Sequence, residues 1–341
     1  MKRGMALLLV ILMFGVIVAG CINQSQTTPT NTQEPPKTST SQAQNVGENP
    51  TTTAQIEESK YPLTIVDFAG RNVTIEKEPQ RVISLAPSIT ETLFSIGAGD
   101  KVVGVTEFDD YPPQVANITK IGTTEPNIEQ IALLEPDLII GIEYHMQYID
   151  QLEKIAPVII VEPKNIDEIY KQIELLGKVT NREGYAKSVV NEMKTKVEEI
   201  KAKVGKEPKP KVFYIAWWNP IYTAGKGTFI GDLIKLASGE NVFNDVEGWA
   251  QVSLEEVLAR DPDVIILAHY SGTTAEELCD TELAKTKALR EGNVYTMSDD
   301  NIISRPGPRI VLGLEELAKY IHPAVFNLNP QPLMCNATAT G

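Results

Sequence analysis

Apolar side chains recur along this chain with two alternating periods, and the alternation predicts most of its elements. Leu63 to Phe68 and Asn72 to Glu76 are apolar at every second position on either side of Ala69-Gly70-Arg71, the pattern of a small β-hairpin. Arg81 to Leu85 reads as a buried strand, and Ser88-Ile-Thr-Glu91 has the spacing of a capping box opening a helix through Leu93 and Ile96. Strands are predicted at Val102 to Val105, Leu138 to Ile142 and Val158 to Val161, with helices around Glu129 and over Tyr148 to Ile155. Strands that alternate with helices predict a largely parallel sheet covered on both faces.

The middle of the chain changes period. Ile166 to Lys178 reads as one helix, and past Asn181 the residues Val190, Met193, Val197, Ile200 and Val204 recur every three or four positions. This second helix, about 22 residues long, spans on the order of 33 Å at 1.5 Å per residue, enough to bridge two lobes. Beyond Pro208 and Pro210 the strand and helix rhythm restarts. It comprises a strand at Lys211 to Ala216, helices from Thr228 to Ala237 and near Glu255, strands at Val264 to Ala268 and Asn293 to Met297, and a helix from Pro308 to Ile321.

Two segments repeat at identical internal spacing, 126 residues apart: Asn127-Ile-Glu-Gln-Ile-Ala-Leu-Leu-Glu-Pro-Asp-Leu-Ile-Ile140 and Ser253-Leu-Glu-Glu-Val-Leu-Ala-Arg-Asp-Pro-Asp-Val-Ile-Ile266. Each reads as an N-capped short helix, an acidic-Pro-Asp turn that stops it, and a buried strand. The chain therefore holds two lobes of similar plan. Glu129 and Glu255 occupy equivalent positions in the first helical turn, where the helix dipole favours a carboxylate. One glutamate per lobe could also present a matched pair to a symmetric partner carrying basic groups.

The ends of the chain differ from its body. Lys2 and Arg3 precede an uncharged, mostly apolar run from Met5 to Gly20, short for a membrane span and followed by a cysteine. Val18-Ala19-Gly20-Cys21 resembles a lipobox, in which Cys21 would be acylated after cleavage; a simple signal anchor is the alternative. Thr, Gln, Asn, Ser and Pro dominate the following stretch, which reads as a tether. The expected plan is a signal over 1–20, a lipidated tether over 21–59, a first lobe over 60–165, linking helices over 166–207, a second lobe over 208–326 and a tail over 327–341.

Composition narrows the class. At 341 residues and 42 % hydrophobic the chain can bury two ordinary cores. Without the signal, 29 basic residues face 45 acidic ones, a net charge of −16, which argues against a nucleic-acid partner. Outside the cytoplasm Cys279 and Cys335 could form a disulfide if the fold brings them together. His145 and His269 each follow equivalent strands and could ligate a metal or haem iron; a satisfied surface histidine is the expected reading, and no zinc site is expected.

The segments Pro79-Gln-Arg-Val-Ile-Ser-Leu-Ala-Pro-Ser-Ile-Thr-Glu91, Asp110-Tyr-Pro-Pro-Gln114, the two repeats and Ser304-Arg-Pro-Gly-Pro-Arg309 together resemble the ABC importer substrate-binding proteins that serve vitamin B12, ferric siderophores and haem. The resemblance runs from about Pro79 to Ile321 and is greatest to the vitamin B12 (cobalamin) binders. It implies a class III periplasmic-binding-protein fold, two α/β, Rossmann-like lobes joined by one long helix. It also implies an uncomplexed monomer tethered outside the membrane, which meets a permease dimer with its ATPase subunits through Glu129 and Glu255. Tyr111 and Trp249 match cleft aromatics of the B12 binders, Tyr222 is a looser third, and Asp299 and Arg305 match polar contacts. Thr124 stands where those proteins carry a further tryptophan, so the resemblance leaves ferric siderophore or haem open as the ligand. No cofactor and no enzyme activity are implied. The loop Thr223-Ala-Gly-Lys-Gly227 lacks the spacing of a phosphate loop; a cleft hydrolase or an adhesion module are the readings from other classes.

Overall fold

Strand β1 (Leu63–Val66) pairs antiparallel with β2 (Asn72–Ile75), the expected hairpin. Next come β3 (Val82–Ser84), β4 (Val102–Val105), β5 (Thr119–Lys120), β6 (Leu138–Gly141) and β7 (Val158–Ile160), joined as one parallel sheet in the order β5-β4-β3-β6-β7. Its helices are α1 (Pro87–Ser95), α2 (Ile128–Leu133) and α3 (Ile149–Leu152). Helix α4 (Ile166–Val179) leads into the 22-residue α5 (Glu183–Val204). The second half adds β8 (Lys211–Ile215), β9 (Tyr222–Ala224), β10 (Glu240–Asn241), β11 (Trp249–Gln251), β12 (Val264–Leu267) and β13 (Val294–Thr296). Here β10-β8-β12-β13 form a second parallel sheet, while β9 and β11 form a separate antiparallel ladder. The accompanying helices are α6 (Phe229–Leu236), α7 (Leu254–Arg260), α8 (Ala275–Leu278), α9 (Lys287–Glu291), α10 (Asn301–Ser304) and α11 (Ile310–Ile321). This computed structural model describes residues 59–328 and Cys335; the expected signal, Cys21 and nearly all of the expected tether lie outside the described residues. Among the described residues no helix is long and apolar enough to cross a membrane.

Strand periodicity partitions the interior. Successive side chains of a strand point to opposite faces, so a parallel sheet buried on both sides feeds two cores at once. Val82, Leu138, Ile140 and Ile159 enter one cluster, while Ile83, Ile139, Val158 and Ile160 enter another with Ile131 and Leu152. The second sheet divides likewise: Val212, Tyr214, Val264 and Ile266 against Phe213, Ile215, Ile265 and Leu267. One of these clusters is continuous through both halves, because Ile173 and Leu176 of α4, Val190, Met193, Val197 and Ile200 of α5, and Leu314 and Leu317 of α11 belong to it. Burying each such side chain contributes about 1.5–3 kcal/mol. Helix α5 packs against α1 of the first half and α11 of the second.

The repeat is a structural repeat. Glu135 and Asp261, at the same place in the two copies, both adopt left-handed backbone, with φ 43° and 44°. That reversal ends α2 and α7 and lets the next aspartate turn back. Asp137 accepts from the Arg81 N–H at 2.8 Å, and Asp263 accepts from the Lys211 N–H at 2.7 Å. Each aspartate thus clips the start of the neighbouring strand of its own sheet, β3 or β8.

Several local expectations require correction. The capping box at Ser88 does not form: α1 starts at Pro87, Ala86 provides no side-chain cap, and Ser88 and Glu91 are buried inside the helix. Proline has no N–H to satisfy and a φ already suited to the first helical position, so it moves the start forward. The helix expected over Tyr148 to Ile155 is a tight turn over Glu143–Tyr148 followed by the four-residue α3; Pro157 disfavours helix at the residue before it. Ser59, placed in the tether, is already anchored, its hydroxyl donating to the Lys178 carbonyl at 2.7 Å.

Candidate functional site

Helix α1 explains the site's position. Six consecutive residues, Ser88 to Leu93, are buried, and Glu91 among them carries a charge that burial alone would not tolerate. Two arginines from the other half resolve this. Arg309 grips the carboxylate with a fork, Nε donating to Oε2 at 2.8 Å and Nη2 to Oε1 at 2.7 Å. Arg305 adds Nη1 to Oε1 at 2.9 Å. The Glu91 side chain is 2 % exposed and those of Arg305 and Arg309 13 % and 16 %, so three charge-assisted bonds operate where water cannot screen them.

The loop carrying the arginines fits closely on α1. A side chain at Gly307 would place its Cβ 3.3 Å from the Ser88 carbonyl oxygen, a tight approach of the Arg305-Pro-Gly-Pro-Arg309 backbone to α1. Gln172 of α4 donates to the Pro306 carbonyl at 3.1 Å. The two sheets are therefore linked here by side chains as well as by α5.

The segment after β4 completes the cluster. Buried Asp109 shapes it: Oδ2 accepts from the Thr106 N–H and hydroxyl, and burial raises the carboxyl pKa. Beside it Asp110 receives a bond from Arg305 Nη1 at 2.6 Å, and Arg305 Nη2 donates to the Phe108 carbonyl at 3.3 Å. The Arg309 guanidinium lies 4.2 Å over the Tyr111 ring, a cation–π contact, and its Nη1 is 3.6 Å from Asp299. Asp299 also accepts from the Asn301 N–H and so turns the chain into α10.

The sequence-derived contacts fall into two groups. Tyr111, Asp299 and Arg305 converge in the cluster just described. Tyr222 and Trp249 lie on the β9–β11 ladder, where the register Trp249↔Ala224 and Gln251↔Tyr222 makes them diagonal neighbours on one face. Trp217 bridges to the Tyr222 backbone and packs over Gly272, adding an aromatic at the edge of the second sheet. Buried Asp300 accepts from the His269 and Tyr270 N–H groups at 2.7 and 3.1 Å and sets the loop after β12.

Glu129 and Glu255 sit in the first turns of α2 and α7 after Asn127 and Ser253, whose side chains cap those helices. Both are exposed, and neither has a hydrogen-bond or ion-pair partner among the described residues. Cys279 and Cys335 are joined in a disulfide with Cα atoms 5.1 Å apart. His145 is not at the surface: it is 2 % exposed, and burial lowers its pKa to about 4. Among the described residues no three His, Cys, Asp or Glu side chains are grouped as metal ligands.

Sequence reasoning missed Glu91 and Asp110. No local signal set Glu91 apart, since three polar residues stand between Ile89 and Leu93; the only hint was two arginines four residues apart near the far end of the chain.

Comparison with known proteins fixes the class. The periplasmic binding protein family matches residues 82–301, and the chain belongs to it. An uncharacterized ABC transporter substrate-binding lipoprotein of Bacillus subtilis, YvrC, is 34 % identical over 78 % of this chain and 87 % of its own length. A cobalamin-binding protein of Halobacterium salinarum is 30 % identical, covering 77 % of this chain and 74 % of its own. The crystal structure of a possible iron-binding, periplasmic solute-binding protein from Staphylococcus epidermidis superposes with TM-score 0.66 at 34 % identity, over 72 % of this chain and all of the other. The fold is that of a class III binding protein, and the chain is an extracytoplasmic substrate-binding protein of an ABC transporter. It is not an enzyme, it uses no cofactor, and its partners are a permease with its ATPase and a small-molecule ligand.

Proposed function

We propose that the chain binds a corrinoid of the cobalamin type between its two halves, while anchored outside the membrane through a lipid on Cys21, and hands it to a permease dimer. The observation that carries the ligand choice is the composition of the two groups. Tyr111, Tyr222 and Trp249 offer aromatic surface to a wide disc, while Asp299 and Arg305 offer a few hydrogen-bonding groups to its amide arms. The Halobacterium relative, named a cobalamin-binding protein, supports it. Ferric siderophore or haem is the second reading, favoured by Arg305 and Arg309 and by the likeness to a protein described as possibly iron-binding. Exposed and unpaired at matching places in the repeat, Glu129 and Glu255 are proposed to dock on basic groups of the permease.

Calorimetric titration of the full-length chain in detergent with cyanocobalamin, haemin and a ferric siderophore tests the reading. One-to-one binding of cyanocobalamin alone is expected. Binding confined to haemin or the ferric chelate would replace the ligand and keep the importer role.

A further inference from the structure

The protein itself already neutralises the arginines between its halves. Arg305 and Arg309 face three carboxylates: Glu91, shared by both; Asp110 on Arg305; and Asp299 beside Arg309. Glu91 belongs to the packed contact between α1 and the 305–309 loop. Asp110 is different in kind, for its side chain is 60 % exposed and fills no core. Its carboxylate nevertheless takes a short bond from Arg305 Nη1, the nitrogen that also serves Glu91. A guanidinium has five N–H donors. The Nε donor of Arg305 and one on Nη2 have no partner among the described residues. Arg305 thus keeps hydrogen bonds to give but no uncompensated positive charge.

We propose that Asp110 determines the charge selectivity of the cleft by acting as an internal counter-ion to Arg305, an inference that rests on the cleft being the ligand site. An uncharged ligand rich in amide carbonyls accepts from the spare donors without disturbing Asp110. An anionic ligand, such as a carboxylate-bearing tetrapyrrole or a polyanionic ferric chelate, meets the Asp110 charge at short range or must displace it from Arg305, and either costs affinity. Specificity is built here by repulsion of the wrong class as much as by attraction of the right one.

The test compares wild type with Asp110→Asn and Asp110→Glu, full-length and in detergent, by titration with haemin and with cyanocobalamin at several salt concentrations. Asparagine keeps an oxygen for Arg305 and removes the charge. Haemin affinity should rise about tenfold in Asp110→Asn, a gain of about 1.4 kcal/mol, and should fall with added salt more steeply than in wild type. Cyanocobalamin affinity should change by a smaller factor than haemin affinity in Asp110→Asn, and Asp110→Glu, which keeps the charge, should bind haemin as wild type does. Haemin affinity that stays the same in Asp110→Asn, or rises equally in Asp110→Glu, overturns the role. Failure of wild type to bind cyanocobalamin counts against the corrinoid reading alone, since the haemin comparison still decides Asp110.

Discussion

Among single residues, His145 shows how burial converts a candidate ligand into a structural group. Its Nδ1 accepts from the Ile142 N–H at 3.1 Å, and the ring is buried. Burial lowers the pKa from 6.5 to about 4. Between those values the unfolded chain takes up a proton that the folded chain refuses. The stability associated with neutral His145 is therefore fully present above pH about 6.5 and lost on acidification toward pH about 4. The loss over the window approaches about 3 kcal/mol. Urea midpoints for wild type and His145→Gln at pH about 7 and about 4.5 check this, the variant losing less on acidification. Equal losses would place the acid sensitivity elsewhere, with His322, whose pKa burial also lowers, as the next group to examine.

At the scale of elements, short helices in the second half depend on their ends. Thr274 and Glu277 form a capping box on α8, and Cys279 follows directly. A helix of four residues is too short to hold itself, and the disulfide ties it to Cys335, 56 residues on. Both half-cystines pack beside the cluster containing Phe213, Phe243 and Leu278. Cys279→Ser should lower the unfolding free energy by about 2–4 kcal/mol, read from urea denaturation. Adding reductant should destabilise wild type by a similar amount and leave the variant unchanged; a variant as stable as oxidised wild type would refute the contribution.

At the scale of the whole molecule, the repeat places on each half an exposed glutamate without a partner among the described residues, while the Glu91 cluster joins the halves from within. Glu129→Arg/Glu255→Arg should leave ligand affinity within about twofold of wild type and abolish ligand uptake in cells that carry the cognate permease. Normal uptake by the double variant would remove these residues from docking. Loss of binding as well would mean the helices that bear them also shape the cleft.

Local order in this chain was legible in its sequence because it depends on periodicity and on turns. The period of two in the hairpin from Leu63 to Ile75, the uninterrupted apolar runs Leu138 to Ile140 and Val264 to Ile266, the period near 3.6 in α5, and the repeated acidic-Pro-Asp stops each act within a few residues, and the structure follows them. The family motifs also marked Tyr111, Asp299 and Arg305 before their meeting was visible. What sequence could not supply was partnership at long range. Glu91 and Arg309 lie 218 positions apart, and nothing local distinguishes a buried carboxylate awaiting two arginines from one that caps a helix. The β9–β11 ladder, the disulfide and the burial of His145 share that dependence. Hydrophobic pattern determines which face of each element turns inward, but only the packed tertiary structure decides which charges meet between the halves, because electrostatic pairing depends on distance in space and on the water excluded around it.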